Sequence, residues 1–139
     1  MGFWHRPDDG AEWLSKVAFF EGFSSADLTR VSALSTEVEA EAGTVLIDQG
    51  DTGVDCFVIV EGSATVYIGN DAVATLPAGS MIGEMALVDH RPRSASVVAD
   101  TPMRLLRFDS RHFRRLLSEM PKAEERVMAL LTSRLRDNA

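Results

Sequence analysis

The chain has 139 residues, with 14 Lys and Arg against 21 Asp and Glu, so its length suits one domain and its formal net charge is −7. An acidic balance argues against a general nucleic-acid or anionic-membrane surface, either of which needs a basic excess. The lone Cys56 excludes an intrachain disulfide framework, and no apolar run reaches the ~20 residues of a membrane span. The start, Met1 to Pro7, lacks the apolar centre of a signal peptide, so the expected compartment is the cytoplasm.

Residues 1–10 are polar and punctuated by Pro7, Asp8, Asp9 and Gly10, which reads as a flexible leader; residues 11–139 are expected to form a single domain. Trp13, Val17 and Phe20 recur at helical spacing and predict a short helix ending near Gly22. Ser24 and Asp27 form a capping-box-like pair before Leu28, Val31 and Leu34, where a second helix should begin. From Val38 to Phe108 the pattern changes to short β-branched runs: 45–47, 57–60, 64–68, 72–76, 94–99 and 103–108. Gly69-Asn70-Asp71 marks a tight hairpin between two of them. Short strands at near-regular spacing imply a sandwich or jelly-roll barrel rather than a parallel sheet. Asp109 should cap a helix with Phe113, Leu116, Leu117 and Met120 on one face. Pro121 ends that helix and admits another over 122–136, whose apolar face carries Val127, Leu130, Leu131 and Leu135 with Arg134 among them. The fold class expected is α+β, an antiparallel β-roll with helices before it, a short helix inside it and two after it.

The stretch from Gly79 to Val97 concentrates the chemistry. Gly83 lets backbone approach a ligand with no Cβ in the way, and Glu84 to Val88 reads as one helical turn whose first amides, including those of Met85 and Ala86, lack intrahelical partners. Such amides suit an anionic oxygen. Arg93 adds a planar, permanently charged fork able to hold a phosphate bidentately, and Ser94 a neutral donor. Glu84 cannot hold a phosphate; a carboxylate there accepts from a hydroxyl such as a ribose 2′-OH.

The run Gly83-Glu84-Met85-Ala86-Leu87, followed nine positions after Glu84 by Arg93-Ser94-Ala95, resembles the phosphate-binding cassette of the cyclic nucleotide-binding domain family. Gly43, Gly50-Asp51, Phe57 and Gly62 also fall where that family places turn glycines and a strand aromatic, so the resemblance runs from about Phe20 to the C-terminus. It implies a regulatory domain rather than an enzyme, with cyclic AMP as ligand, cyclic GMP as the alternative, and no other cofactor. It further implies that Gly83, Glu84, Met85, Ala86, Arg93 and Ser94 hold the sugar and phosphate, that Val66 and Val73 lie beside sugar and base, and that Arg134 reaches the nucleotide from the last helix. Output would pass by movement of flanking helices to a partner protein, a homo-oligomer or sequence outside this chain.

Each assignment competes with a plainer one. Arg93 can be a surface charge or a structural partner of Glu84; Glu84 can simply favour a helix start; Val66 and Val73 can be core. His5, His90 and His112 show no ligand spacing, which disfavours a metal-dependent cupin, and no serine here acquires a positioned base. The basic residues Arg104, Arg107, Arg111, His112, Arg114 and Arg115 read as the solvated face of a strand and helix. The competing functional class is an interaction module that keeps the fold without ligand.

Overall fold

Runs of β-branched and aromatic residues too short for helices, each stopped by a turn, make the middle of the chain a set of strands. The structure, a computed structural model, describes residues 14–15, 17, 20–52, 55–83 and 92–137, without the side chains of 130, 131 and 133–137. Its elements in chain order are α1 (Ser25–Ala33), β1 (Thr36–Ala40), β2 (Val45–Ile47), β3 (Asp55–Glu61), β4 (Ala64–Ile68), β5 (Asp71–Leu76), β6 (Met81–Ile82), β7 (Ser96–Ala99), β8 (Met103–Asp109), α2 (Ser110–Glu119) and α3 (Pro121–Asp137). The strands pair antiparallel in two four-stranded sheets of order β1-β8-β3-β6 and β2-β7-β4-β5. The β-roll is therefore an open sandwich: among the described residues no ladder joins one sheet to the other. The predicted leader and Trp13 lie outside the described residues. Within the described ones, the entry to α1 is a series of three-residue turns in which Val17, Phe20 and Phe23 N–H groups donate to the carbonyls of Leu14, Val17 and Phe20 at 3.0, 3.0 and 3.1 Å.

Side chains alternate across a strand, so β3 feeds two cores at once. Phe57 and Ile59 point between the sheets, where they meet Ile47, Ala64, Ile82, Val97, Met103 and Leu105. Cys56, Val58 and Val60 point the other way and join Leu106 and Phe108 under Leu28, Val31, Phe113, Leu116 and Val127 of the helices. Burial on both faces explains why Cys56–Val60 is an unbroken apolar run instead of an alternating one. Each such Val, Ile, Leu or Phe contributes about 1.5–3 kcal/mol by leaving water.

The helices begin where the sequence signals them. Ser24 Oγ accepts from Asp27 N–H at 3.1 Å while the Asp27 carboxylate accepts from Ser24 N–H at 3.2 Å, closing the box at the start of α1. The Asp109 carboxylate accepts from His112 N–H at 2.8 Å, and that bond, with the neighbouring His112 ring and Arg107, holds its carboxyl below the ordinary aspartate range. Pro121 takes the first position of α3, where its missing N–H costs nothing. Surface bonds fasten the N-terminal segment to α2 and α3. Arg30 makes a bidentate pair with Glu119 at 2.8 and 3.0 Å, Lys122 Nζ donates to Gly22 C=O at 2.8 Å, and Arg126 Nη2 donates to Glu21 C=O at 2.5 Å.

Candidate functional site

Pro92 fixes the backbone before Arg93, and the β2–β3 turn then grips the arginine's main chain from the side. Gly50 N–H donates to Arg93 C=O at 2.9 Å and Arg93 N–H donates to Asp51 C=O at 2.7 Å. The side chain is carried inward to 9% exposure, so Arg93 is not a surface charge. Its Nη1 donates to Gly83 C=O at 2.9 Å and its Nη2 to Asp55 C=O at 2.6 Å, two main-chain acceptors that fix the plane and direction of the fork. Desolvating a guanidinium is costly unless it is well hydrogen-bonded, and these bonds meet part of that need.

Gly83 is required twice over. Its φ is 84°, in the left-handed region, and a Cβ there would stand 2.8 Å from Arg93 Nη1, 3.0 Å from Asp55 O and 3.0 Å from Ile47 Cδ1. The sequence reading had glycine opening space for a ligand; here the space it opens is occupied by the arginine.

Glu84, Met85 and Ala86 lie outside the described residues, as does the short helix expected there. Ser94 is exposed, two residues before β7 rather than at a strand start. Val66 sits on β4, half-buried, paired with Val97 of β7 and packed against the inter-sheet core. Val73 is on the edge strand β5 and is not core: it is 52% exposed. Val66 pairs with Ala74 and Tyr67 with Ala72, so Val73 is the extra residue of a β-bulge, a device that re-aims a side chain. Arg134 lies on α3, and its side chain is outside the described residues.

Three residues close to Arg93 in the fold carry no site role in the sequence reading. Asp55 acts through its carbonyl, which any residue possesses, so no pattern could reveal it. Arg107 was read as part of a solvated face. Its side chain is indeed 43% exposed, but it stands opposite Phe57 in register, with Nη1 3.9 Å from Asp55 Oδ2. Its Nε is buried with no hydrogen-bond partner among the described residues. The third is Gln49, whose signal was the turn Asp48-Gln49-Gly50-Asp51, with Gly50 at φ 91°. A cleft of about 500 Å³ lined by Glu39, Glu41, Glu61 and Arg104 lies at the opposite end of β3 from Asp55, and three carboxylates make it a poor anion site.

A buried arginine gripped by a glycine ten residues earlier, at one end of an antiparallel sandwich, is a specific arrangement. The family described as cyclic nucleotide-binding domain matches residues 37–120, which contain all of it. The chain belongs to that family. A cAMP-dependent protein kinase regulatory subunit from Mycosarcoma maydis is 34% identical to the domain over 124 residues, 83% of this chain and 24% of the subunit. The chain thus spans about a quarter of that relative's length. The Thermus thermophilus catabolite activator protein is similar at 26% identity and a TM-score of 0.79, over 86% of this chain and 59% of its own. The regulatory domain of Toxoplasma gondii PKA, crystallised with cAMP, shares the fold at a TM-score of 0.78 and 22% identity, over 95% of this chain and 50% of its own. In this domain no helix among the described residues is long and apolar enough to cross a membrane.

Proposed function

We propose that the domain binds a cyclic nucleoside monophosphate, cyclic AMP first and cyclic GMP second, and works as a sensor rather than an enzyme. The observation that carries this reading is Arg93: a guanidinium at 9% exposure, aimed by two main-chain carbonyls at the end of the sandwich. Arg93, Ser94 and the amides of 84–86 would hold the cyclic phosphate, Glu84 the ribose hydroxyl, and Val66 and the bulged Val73 the sugar and base. The names of the Mycosarcoma and Toxoplasma relatives support cyclic AMP as the nucleotide.

Calorimetry on the purified domain tests it. Cyclic AMP should bind, and Arg93→Ala should weaken binding by about 2–5 kcal/mol, roughly thirty-fold to several-thousand-fold in Kd. Arg91→Ala should matter far less. Neither heat nor thermal stabilisation with millimolar cyclic AMP or cyclic GMP would remove the ligand reading and leave an interaction module.

Signalling, in this reading, runs through α3. Val127 and Ala123 anchor its first half in the helical core, while Arg134 lies in its last turn. A helix of this length barely forms alone in water, so a nucleotide that adds contacts to its C-terminal half favours the docked state. Bound cyclic AMP should slow amide exchange across 128–136, and Arg134→Ala should reduce that slowing more than the slowing near Gly83. Exchange unchanged in α3 would send the output through the N-terminal segment instead.

A further inference from the structure

The β2–β3 turn and the β4–β5 hairpin meet at the Arg93 end of the sandwich. Asp51 N–H bonds Asp48 C=O at 3.1 Å with Gly50 at φ 91°, as a type II turn requires at its third residue, and this puts Gln49 at the turn's outer corner. Gln49 N–H donates to Ser96 Oγ at 2.9 Å, and Gln49 Oε1 accepts from Gly69 N–H at 2.9 Å. Because Gly69 N–H is a donor, it fixes which end of the side-chain amide faces the hairpin. Gly69, at φ 61°, is the first residue of the two-residue tip, and the N–H at that position is not used by the strand ladder.

That tip projects past its sheet. Pairing of β4 with β7 stops at Tyr67–Ser96, and β5 is an edge strand, so among the described residues no neighbouring strand steadies the last turn of the hairpin. The half-exposed apolar residues Ile68 and Val73 flank the tip. The same turn that holds Gly69 through Gln49 holds the main chain of Arg93 through Gly50 and Asp51.

We propose that Gln49 is a positioning residue for the nucleotide site, setting the distance between the phosphate-holding arginine and the apolar hairpin that takes the base. The proposal rests on the cyclic nucleotide reading above. Gln49 is exposed, so Gln49→Leu, similar in size but without an acceptor, should leave the domain folded.

The experiment combines two measurements on the whole chain. By NMR of the ligand-free protein, Gln49→Leu should speed amide exchange at Gly69. By calorimetry with cyclic AMP, it should weaken binding about two- to ten-fold, the worth of one net hydrogen bond. Val73→Ala should then cost less in the Gln49→Leu background than in the wild type, since a displaced hairpin already forfeits that contact. If the wild-type chain binds no cyclic nucleotide, the functional reading falls and this inference with it. If the wild type binds but Gln49→Leu leaves affinity unchanged, or the two substitutions combine multiplicatively, only the inference is overturned.

Discussion

In the sheet that contains β3 and β8 both faces are covered. Phe57, Ile59 and Leu105 lie against the opposite sheet, and Val58, Leu106 and Phe108 lie against helices. In the sheet that contains β4 and β5, among the described residues only the inward face is covered, by Ala64, Val97 and Ala99, while Val45, Ile68 and Val73 stand half-exposed and nearly all of β5 meets solvent. The first sheet has little freedom to change without losing packing, and the second has apolar surface not yet used by the fold. Under the proposed function, stability and recognition would fall to different sheets, with Arg93 at their common end reaching to the Asp55 carbonyl of the first.

The largest expected effect separates the two sheets directly. Leu105→Ala should destabilise the fold by about 2–5 kcal/mol in denaturant titration, through lost transfer energy and a residual cavity. Val73→Ala should stay within about 0.5 kcal/mol while weakening cyclic nucleotide binding. Comparable stability losses at the two positions would erase the distinction.

A smaller effect is expected where the sheets meet. Gly83→Ala meets left-handed backbone strain and a Cβ 2.8 Å from Arg93 Nη1, whereas Gly43→Ala meets similar strain at φ 90° with no atom within 4 Å. Strain of this kind costs about 1–3 kcal/mol, so Gly83→Ala should exceed Gly43→Ala in stability loss and alone should reduce nucleotide affinity. Equal affinities in the two variants would mean that the arginine's grip on Gly83 is immaterial to binding.

The smallest effect belongs to the helical surface. The hydrogen bonds from Arg30 hold the Glu119 carboxyl below the ordinary glutamate range. A folded value below the unfolded one adds stability that is present above the unfolded value and lost as pH falls through the folded one. Glu119→Gln should therefore lower the melting temperature slightly at neutral pH, and the gap from wild type should close under acid. A gap that persists at low pH would show that packing, not charge, is what the substitution removes.

The parts of this fold that were readable in advance are the local ones. Ser24 with Asp27, Asp109 with His112, Pro121 opening a helix and Gly69-Asn70 turning a hairpin all act within four residues, so sequence spacing states their geometry. The contact of Gly83 with Arg93 was not readable, because each residue reads on its own as facing a ligand and only the folded loop brings the Gly83 carbonyl to the arginine. β1 was obscure, since the acidic run Thr36–Ala40 becomes a strand only by pairing with β8, more than sixty residues away. The place of Arg107 beside Asp55 and the role of the Asp55 carbonyl depend on register between distant strands. So does the bulge at Val73, which no composition could announce.

That bulge also bears on how the molecule behaves among its own copies. β5 closes one edge of its sheet, and six residues of regular extended backbone with exposed valine would offer a template onto which another chain could add a strand. The extra residue bends the strand and breaks the even spacing of its outward N–H and C=O groups. The irregularity that turns Val73 aside therefore also discourages edge-to-edge association, and a variant with a straightened β5 would face a greater hazard of aggregation in concentrated solution.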